Sequence, residues 1–260
     1  MDKAKSRRRV QVHVPYPFLI SRLGEILSAG INPEVYLDGA HLDRADRGEY
    51  RLIRAEVEKY GARLTLHGPY IEMSPGHPDE ERRLATVEKY ERTFDAMELL
   101  RPTNVVFHAG YDERLFGGDV GLWLAQSLRT WPGLVERAEG LGVVIGLENI
   151  FERTPASLKA LMAEIDSSSF GVCLDAGHLN IFSRTAMEEW FSELGPRVAE
   201  VHIHDNNGRA DEHLPVGDGS VDFTEFFSLV ERYADDPVYT IEQHGEEDVE
   251  KGLRAVTRFL

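Results

Sequence analysis

The chain predicts an α/β fold, a single (β/α)8 barrel occupying residues 1–260, and three observations carry that expectation. Eight short apolar runs alternate strictly with eight helical stretches, which implies parallel strands joined by right-handed crossovers. Each strand–helix unit takes roughly 25–40 residues, and eight of them fill the chain, as in barrels of ~250 residues. The third to eighth runs all end in carboxylate or imidazole side chains, at the end of a barrel where chemistry is carried out. A doubly wound open sheet lacks support, because no GxGxxG follows the first run.

The basic start, MDKAKSRRRV, leads into the first run at 10–14, and residues 1–8 are expected to form a flexible N-terminal tail. A helix over 18–28 follows, then a run at 34–37 and a helix over 49–60 that Gly61 should stop. The run at 63–66 precedes a helix over 78–100, with capping signals at Ser74 and Asp79. After 104–107 comes a helix over 121–140, with Gly140 and Gly142 where it should end. The run at 143–147 leads to a helix over 155–165 opened by Thr154 and Pro155. Runs at 171–174, 198–203 and 238–241 alternate with helices over 185–194, 223–233 and 247–259. No linker, low-complexity stretch or repeat divides the chain.

With 42% hydrophobic and 28% charged residues, the composition is that of a soluble globular protein with a sizeable core. No apolar stretch approaches the ~20 residues that cross a bilayer, so no membrane partner is expected. The basic start meets the first strand without an apolar signal segment, and a cytoplasmic location is expected. Cys173, the single cysteine, lies inside an apolar run, where it should pack as a reduced thiol. A formal net charge of −16 disfavours nucleic acid, since the basic clusters at Arg7–Arg9 and Arg82–Arg83 are small. The sequence is compatible with an oligomer and does not set its size.

The sixth run ends GVCLDAGH, placing Asp175 at the rim of a core and, after a tight Ala176–Gly177 link, His178. The third ends in His67, the fourth in His108, and the fifth in Glu148 and Asn149. The seventh supplies His202, His204 and Asp205, its long loop adds Asp211 and His213, and the eighth gives Glu242 and His244. One such residue alone is explained by a helix cap or a satisfied core histidine. Six strand ends converging on one mouth need a common cause, because Glu148, Asp175 and Glu242 would repel one another there. A divalent cation turns that cost into binding, and mixed carboxylate–imidazole ligation suits manganese, zinc or cobalt better than calcium. His13, His41 and His77 lack the pattern and are expected to be structural or exposed; His244 stays ambiguous.

The segments LHGPYIEMSPGHPDE, FHAG, GLEN, GVCLDAGH, HIHDNNGRADEHLPVGDGSVDF and TIEQH resemble the xylose isomerase-like TIM barrel superfamily, from the first strand to the last. That superfamily includes sugar and sugar-phosphate isomerases and epimerases, inosose dehydratase-type enzymes, and the endonuclease IV group. The ketose epimerase-like branch implies one ion on Glu148, Asp175, His202 and Glu242, with the two glutamates as acid and base. The endonuclease IV-like branch implies three zinc ions on His67, His108, Glu148, Asp175, His178, His202, Asp211, His213 and Glu242. The seventh-strand loop and SPGHPDE look more like the sugar-isomerase members, and no loop carries the Arg, Lys and aromatic residues that hold a bent duplex.

The expectation is therefore a divalent-metal-dependent sugar or sugar-phosphate isomerase or epimerase. It would move a proton next to a carbonyl, with the cation stabilising the enediolate. Glu148 and Glu242 are the expected catalytic pair, and His178, His204 and Arg209 would hold substrate hydroxyls or a phosphate. The alternative is a zinc phosphodiesterase acting on abasic sites or small phosphodiesters. A non-catalytic sugar-binding barrel would not need two glutamates opposed on a metal.

Overall fold

The computed structural model describes residues 10–44 and 46–260, so the expected tail at residues 1–8 lies outside the described residues. Strand β1 (Val10–Pro15) sets the pattern of the molecule. Val10, Val12 and Val14 are buried in the hydrophobic core, whereas Gln11 and His13 alternate with them and bond across the barrel interior to Thr65 and Glu34. The remaining strands are β2 (Asn32–Tyr36), β3 (Thr65–His67), β4 (Asn104–His108), β5 (Val144–Glu148), β6 (Phe170–Asp175), β7 (Val198–Ile203) and β8 (Val238–Ile241). They run in sequence order around a closed, fully parallel barrel, with β8 returning to β1. The (β/α)8 fold is as expected.

The helices are α1 (Tyr16–Ser28), α2 (Gly39–Arg44), α3 (Arg47–Tyr60), α4 (Glu80–Leu100), α5 (Glu113–Phe116), α6 (Val120–Ser127), α7 (Trp131–Leu141), α8 (Ala156–Glu164), α9 (Ala176–Phe182), α10 (Met187–Leu194), α11 (Phe223–Tyr233) and α12 (Glu246–Val256). Asp79 caps α4 by accepting from the Arg82 N–H at 3.1 Å, but the Ser74 hydroxyl caps nothing. Gly61 and Gly142 close α3 and α7 in the left-handed conformation, while Gly140 lies inside α7. The single helix expected over 121–140 is two helices. Pro132, in the first turn of α7, has no N–H to donate backward, so the chain restarts there.

A second correction bears on function. The Ala176–Gly177 link is not a loop but the first turn of α9, and Asp175 is its N-cap, accepting from the His178 N–H at 2.6 Å. Cys173 is buried and free, as its apolar run implied. Among the described residues no helix is long and apolar enough to cross a membrane.

Candidate active site

Strand register brings the predicted residues together. His108 on β4 lies opposite Glu148 on β5, Asp175 on β6 opposite His202 on β7, and Tyr36 on β2 opposite His67 on β3. Neighbouring strands are ~4.8 Å apart, so paired inward side chains touch. Glu148 is the hub. Its Oε2 is 3.1 Å from His67 Nε2 and 3.3 Å from His108 Nε2, and its Oε1 is 3.1 Å from His178 Nδ1 and 3.5 Å from His202 Nδ1. His202 Nδ1 is also 3.2 Å from Glu242 Oε1 and 4.0 Å from Asp175 Oδ2. His204 Nε2 reaches Asp175 Oδ1 at 3.1 Å. Asp211 Oδ2 sits between His178 Nε2 (3.4 Å) and His213 Nε2 (3.2 Å).

The β7–α11 loop delivers Asp211 and His213, and Asp205 holds that loop in place. This buried carboxylate accepts four backbone N–H groups, from Asn206 and Val221 on Oδ1 and from Gly217 and Gly219 on Oδ2, at 2.9–3.1 Å. Asp205 also exchanges both backbone hydrogen bonds with Leu214, at 2.8 Å each.

In the first turn of α9, Gly177 lies against the His204 ring, and a Cβ there would overlap it. Gly177→Ala is expected to push His204 off Asp175 and to cost about 1–3 kcal/mol, as overpacking does. Thermal melting with and without zinc checks this. A variant that melts like the wild type in both conditions would contradict it.

Electrostatics separate the groups by role. Burial raises the Glu148 pKa, but His202, His108 and His178 outweigh it and hold the carboxyl well below its ordinary range. Burial lowers the pKa values of His178 and His202, but Asp175, Asp211 and Glu148 more than reverse this at His178, and Cys173 with Glu242, Glu34 and Glu148 at His202, holding both well above their ordinary value. For His108 burial prevails and the pKa is lowered. His213, half-buried beside Asp211 and Glu242, is raised to about 9 despite its burial.

Glu152, buried beyond β5, has its pKa pushed by burial to about 7, against the pull of the Ile150 N–H at 2.7 Å. Between its ordinary 4.5 and about 7, the unfolded chain releases a proton that the folded chain keeps. Its contribution to stability is therefore full below 4.5, falls as pH rises through this window, and stays lost above about 7. Glu152→Gln is expected to remove that fall. Urea unfolding of both proteins at about pH 5 and about pH 8 checks it, and a variant-to-wild-type difference that is the same at both would contradict it.

The donor set fits a divalent cation. Glu148, Asp175, His202 and Glu242 are all buried and offer ligand atoms within 4.8 Å of one another. So do His67, His108 and Glu148; Asp175, His178 and His204; and His204, His213 and Glu242. Asp175 Oδ2, His178 Nδ1 and both ring nitrogens of His202 and His204 are buried without a hydrogen-bond partner. Buried polar atoms are ordinarily paired, and a shared cation would satisfy these together.

Nearly every residue predicted for the site thus lies in one cluster. Arg209 does not join it: the residue is exposed and makes no hydrogen bond or ion pair among the described residues. His244 stacks on His213 at 4.5 Å, at the rim. His41 bonds Asp38, and His77 accepts from the Asp79 N–H, both structural roles as expected. His13, expected to be structural or exposed, instead belongs to the cluster, with Nδ1 3.1 Å from Glu34 and 3.3 Å from Glu242. Glu34 and Glu200 were missed, although strand alternation marks them: each lies two residues before an inward strand-end side chain. Tyr70, stacked on Tyr36 and His108 at 4.9 Å each, walls one side of the mouth, and no sequence signal singled it out.

Fold and cluster together define a (β/α)8 barrel with groups able to bind divalent cations at the carboxyl ends of its strands. The chain belongs to the xylose isomerase-like TIM barrel family, which it matches over residues 32–260. An uncharacterized protein of Methanocaldococcus jannaschii is 31% identical over 210 residues, covering 78% of this chain and 72% of that protein. The crystal structure of a D-tagatose 3-epimerase-like protein is similar with a TM-score of 0.82 and 27% identity, covering 96% of each chain. A probable endonuclease 4 of Campylobacter fetus subsp. fetus is 24% identical over 186 residues, covering 63% of this chain and 64% of that protein.

Proposed function

We propose that the protein is a divalent-metal-dependent sugar or sugar-phosphate isomerase or epimerase, moving a proton on the carbon next to a carbonyl. The observation that carries this reading is the meeting of two glutamates at one imidazole nitrogen, Glu242 at 3.2 Å and Glu148 at 3.5 Å from His202 Nδ1. The likeness to the D-tagatose 3-epimerase-like structure supports it. Glu148, Asp175, His202 and Glu242 would hold manganese, zinc or cobalt, which supplies polarisation of the substrate carbonyl and acidifies the neighbouring C–H.

The chain's own groups do the rest. Glu148 is ionised and therefore able to take a proton. Glu242 enters just beyond β8, three strands around the ring from β5, and returns a proton from its own side. Whether the proton returns to the same carbon or its neighbour decides between epimer and isomer. His178 and His204 donate to substrate hydroxyls, and Arg209, on the exposed loop, would meet a phosphate.

A second reading has its own observation. His67 and His108 with Glu148, and His178 and His213 with Asp211, form further ligand groups on either side of the central four. Such a set suits a two- or three-zinc phosphodiesterase, and the likeness to a probable endonuclease 4 supports it. Elemental analysis of protein purified without chelator, followed by a ketose and ketose-phosphate panel, separates the two. About one cation per chain with ketose turnover is expected. Two or three zincs with cleavage of an abasic duplex, and no ketose turnover, would overturn the first reading.

A further inference from the structure

Beneath the cluster the barrel interior is polar where barrels of this kind are ordinarily filled by Val, Ile and Leu. Gln11, Glu34, Thr65, Glu200 and Thr240 are all fully buried there. Gln11 bonds Thr65, and the Thr240 hydroxyl donates to Glu200 at 2.6 Å, so these pairs close within the layer. Glu34 instead faces upward, hydrogen-bonding His13 and lying in ion-pair contact with His202. Its Oε1 lies 3.1 Å from His13 Nδ1 and its Oε2 lies 3.4 Å from His202 Nε2. A carboxylate buried this completely is costly unless it is paired, and its partners here are two imidazoles of the site above.

His202 therefore has carboxylates at both ends of its ring. Nδ1 faces Glu242, Glu148 and Asp175, while Nε2 faces Glu34, with Glu200 farther off at 4.0 Å. An imidazole that gives its Nδ1 lone pair to a cation keeps its proton on Nε2, and the carboxylate oxygen nearest that nitrogen is Glu34 Oε2, at 3.4 Å. We propose that Glu34 is the positioning residue of the metal centre. It holds His202 as the Nε2–H tautomer with Nδ1 turned to the ligand carboxylates. Through His13, whose Nδ1 is also 3.3 Å from Glu242 Oε1, it steadies Glu242 as well. Glu34 itself touches neither substrate nor cation. The inference rests on the metal-centre reading proposed above.

The test is a set of zinc and manganese titrations against a competing chelator, on stripped full-length wild type, Glu34→Gln and Thr240→Val. The last variant alters the same buried layer, beside His202 in the β7–β8 ladder, but removes none of the carboxylates that face the His202 ring. Glu34→Gln is expected to bind 10–100-fold more weakly, the loss typical of removing a hydrogen-bond partner from a ligand histidine, with an unchanged or higher melting temperature when metal-free. Thr240→Val is expected to bind like the wild type.

A second measurement needs no Glu34 variant. In zinc-loaded wild type labelled with 15N-histidine, the His202 ring, assigned by its loss in His202→Asn, is expected to be protonated at Nε2 and ligated at Nδ1. Equal affinities for wild type and Glu34→Gln, or a His202 protonated at Nδ1, would overturn the role of Glu34 alone. A wild type that binds neither cation would remove the metal-centre reading itself, and this inference with it.

Discussion

Glu148→Gln is expected to lower kcat on the ketose substrate by about a thousandfold or more at saturating metal, the upper range for loss of a positioned general base. The reason is visible in the contacts. Four imidazoles, those of His67, His108, His178 and His202, lie within 3.5 Å of the two Glu148 oxygens. An amide leaves one oxygen for two of them and turns an NH2 group on the others. It also has no lone pair of useful basicity on nitrogen to accept a proton from carbon. Substrate contacts made elsewhere in the mouth are untouched, so KM should stay within about threefold while kcat falls, the pattern of a group that acts in the transition state. Steady-state kinetics at saturating manganese check this. A variant that keeps more than about a tenth of wild-type kcat would contradict the role assigned to Glu148.

Asp205→Ala is expected to be the most damaging single change outside the ligand set, at about 3–5 kcal/mol of stability. Four backbone N–H groups lose a charged acceptor at once, and hydrogen bonds to charged groups contribute ~1.5–3 kcal/mol each before water re-enters the loop. The same loop carries Asp211 and His213, so metal loading should fall together with stability. Urea unfolding of the metal-free proteins, with zinc counted per chain on the loaded ones, measures both. A loss under about 1 kcal/mol with unchanged loading would show that the loop is held by something other than Asp205.

Much of this architecture was legible in the chain because a parallel barrel writes itself simply. Runs such as 171–174 and 198–203 are apolar outside and end at one rim, so reading the residue after each run located Glu148, Asp175 and Glu242, and the end of the 198–203 run itself located His202. What remained hidden lies one layer down or in short helices. Glu34 and Glu200 sit inside runs read only as apolar, and their meaning depends on alternation along a strand whose neighbours were not yet known. The α9 turn was hidden because Ala176-Gly177 reads as a link, whereas Asp175 caps a helix there and the His204 ring leaves no room for a side chain at Gly177. The break between α6 and α7 had a local signal in Pro132, which the continuous apolar spacing of 121–140 masked. Arg209 shows the opposite limit, since a motif position on a long loop does not establish a contact.

The most direct measurement of the central claim is proton exchange at carbon. Metal-loaded protein is incubated in D2O with a panel of ketoses and ketose phosphates, and deuterium on the carbon next to the carbonyl is followed by NMR. The account predicts incorporation by the wild type that stops when the metal is stripped, returns when it is restored, and is absent in Glu148→Gln. Hydrolysis of an abasic duplex or a small phosphodiester by the same preparation, with no deuterium entering any sugar, would contradict it.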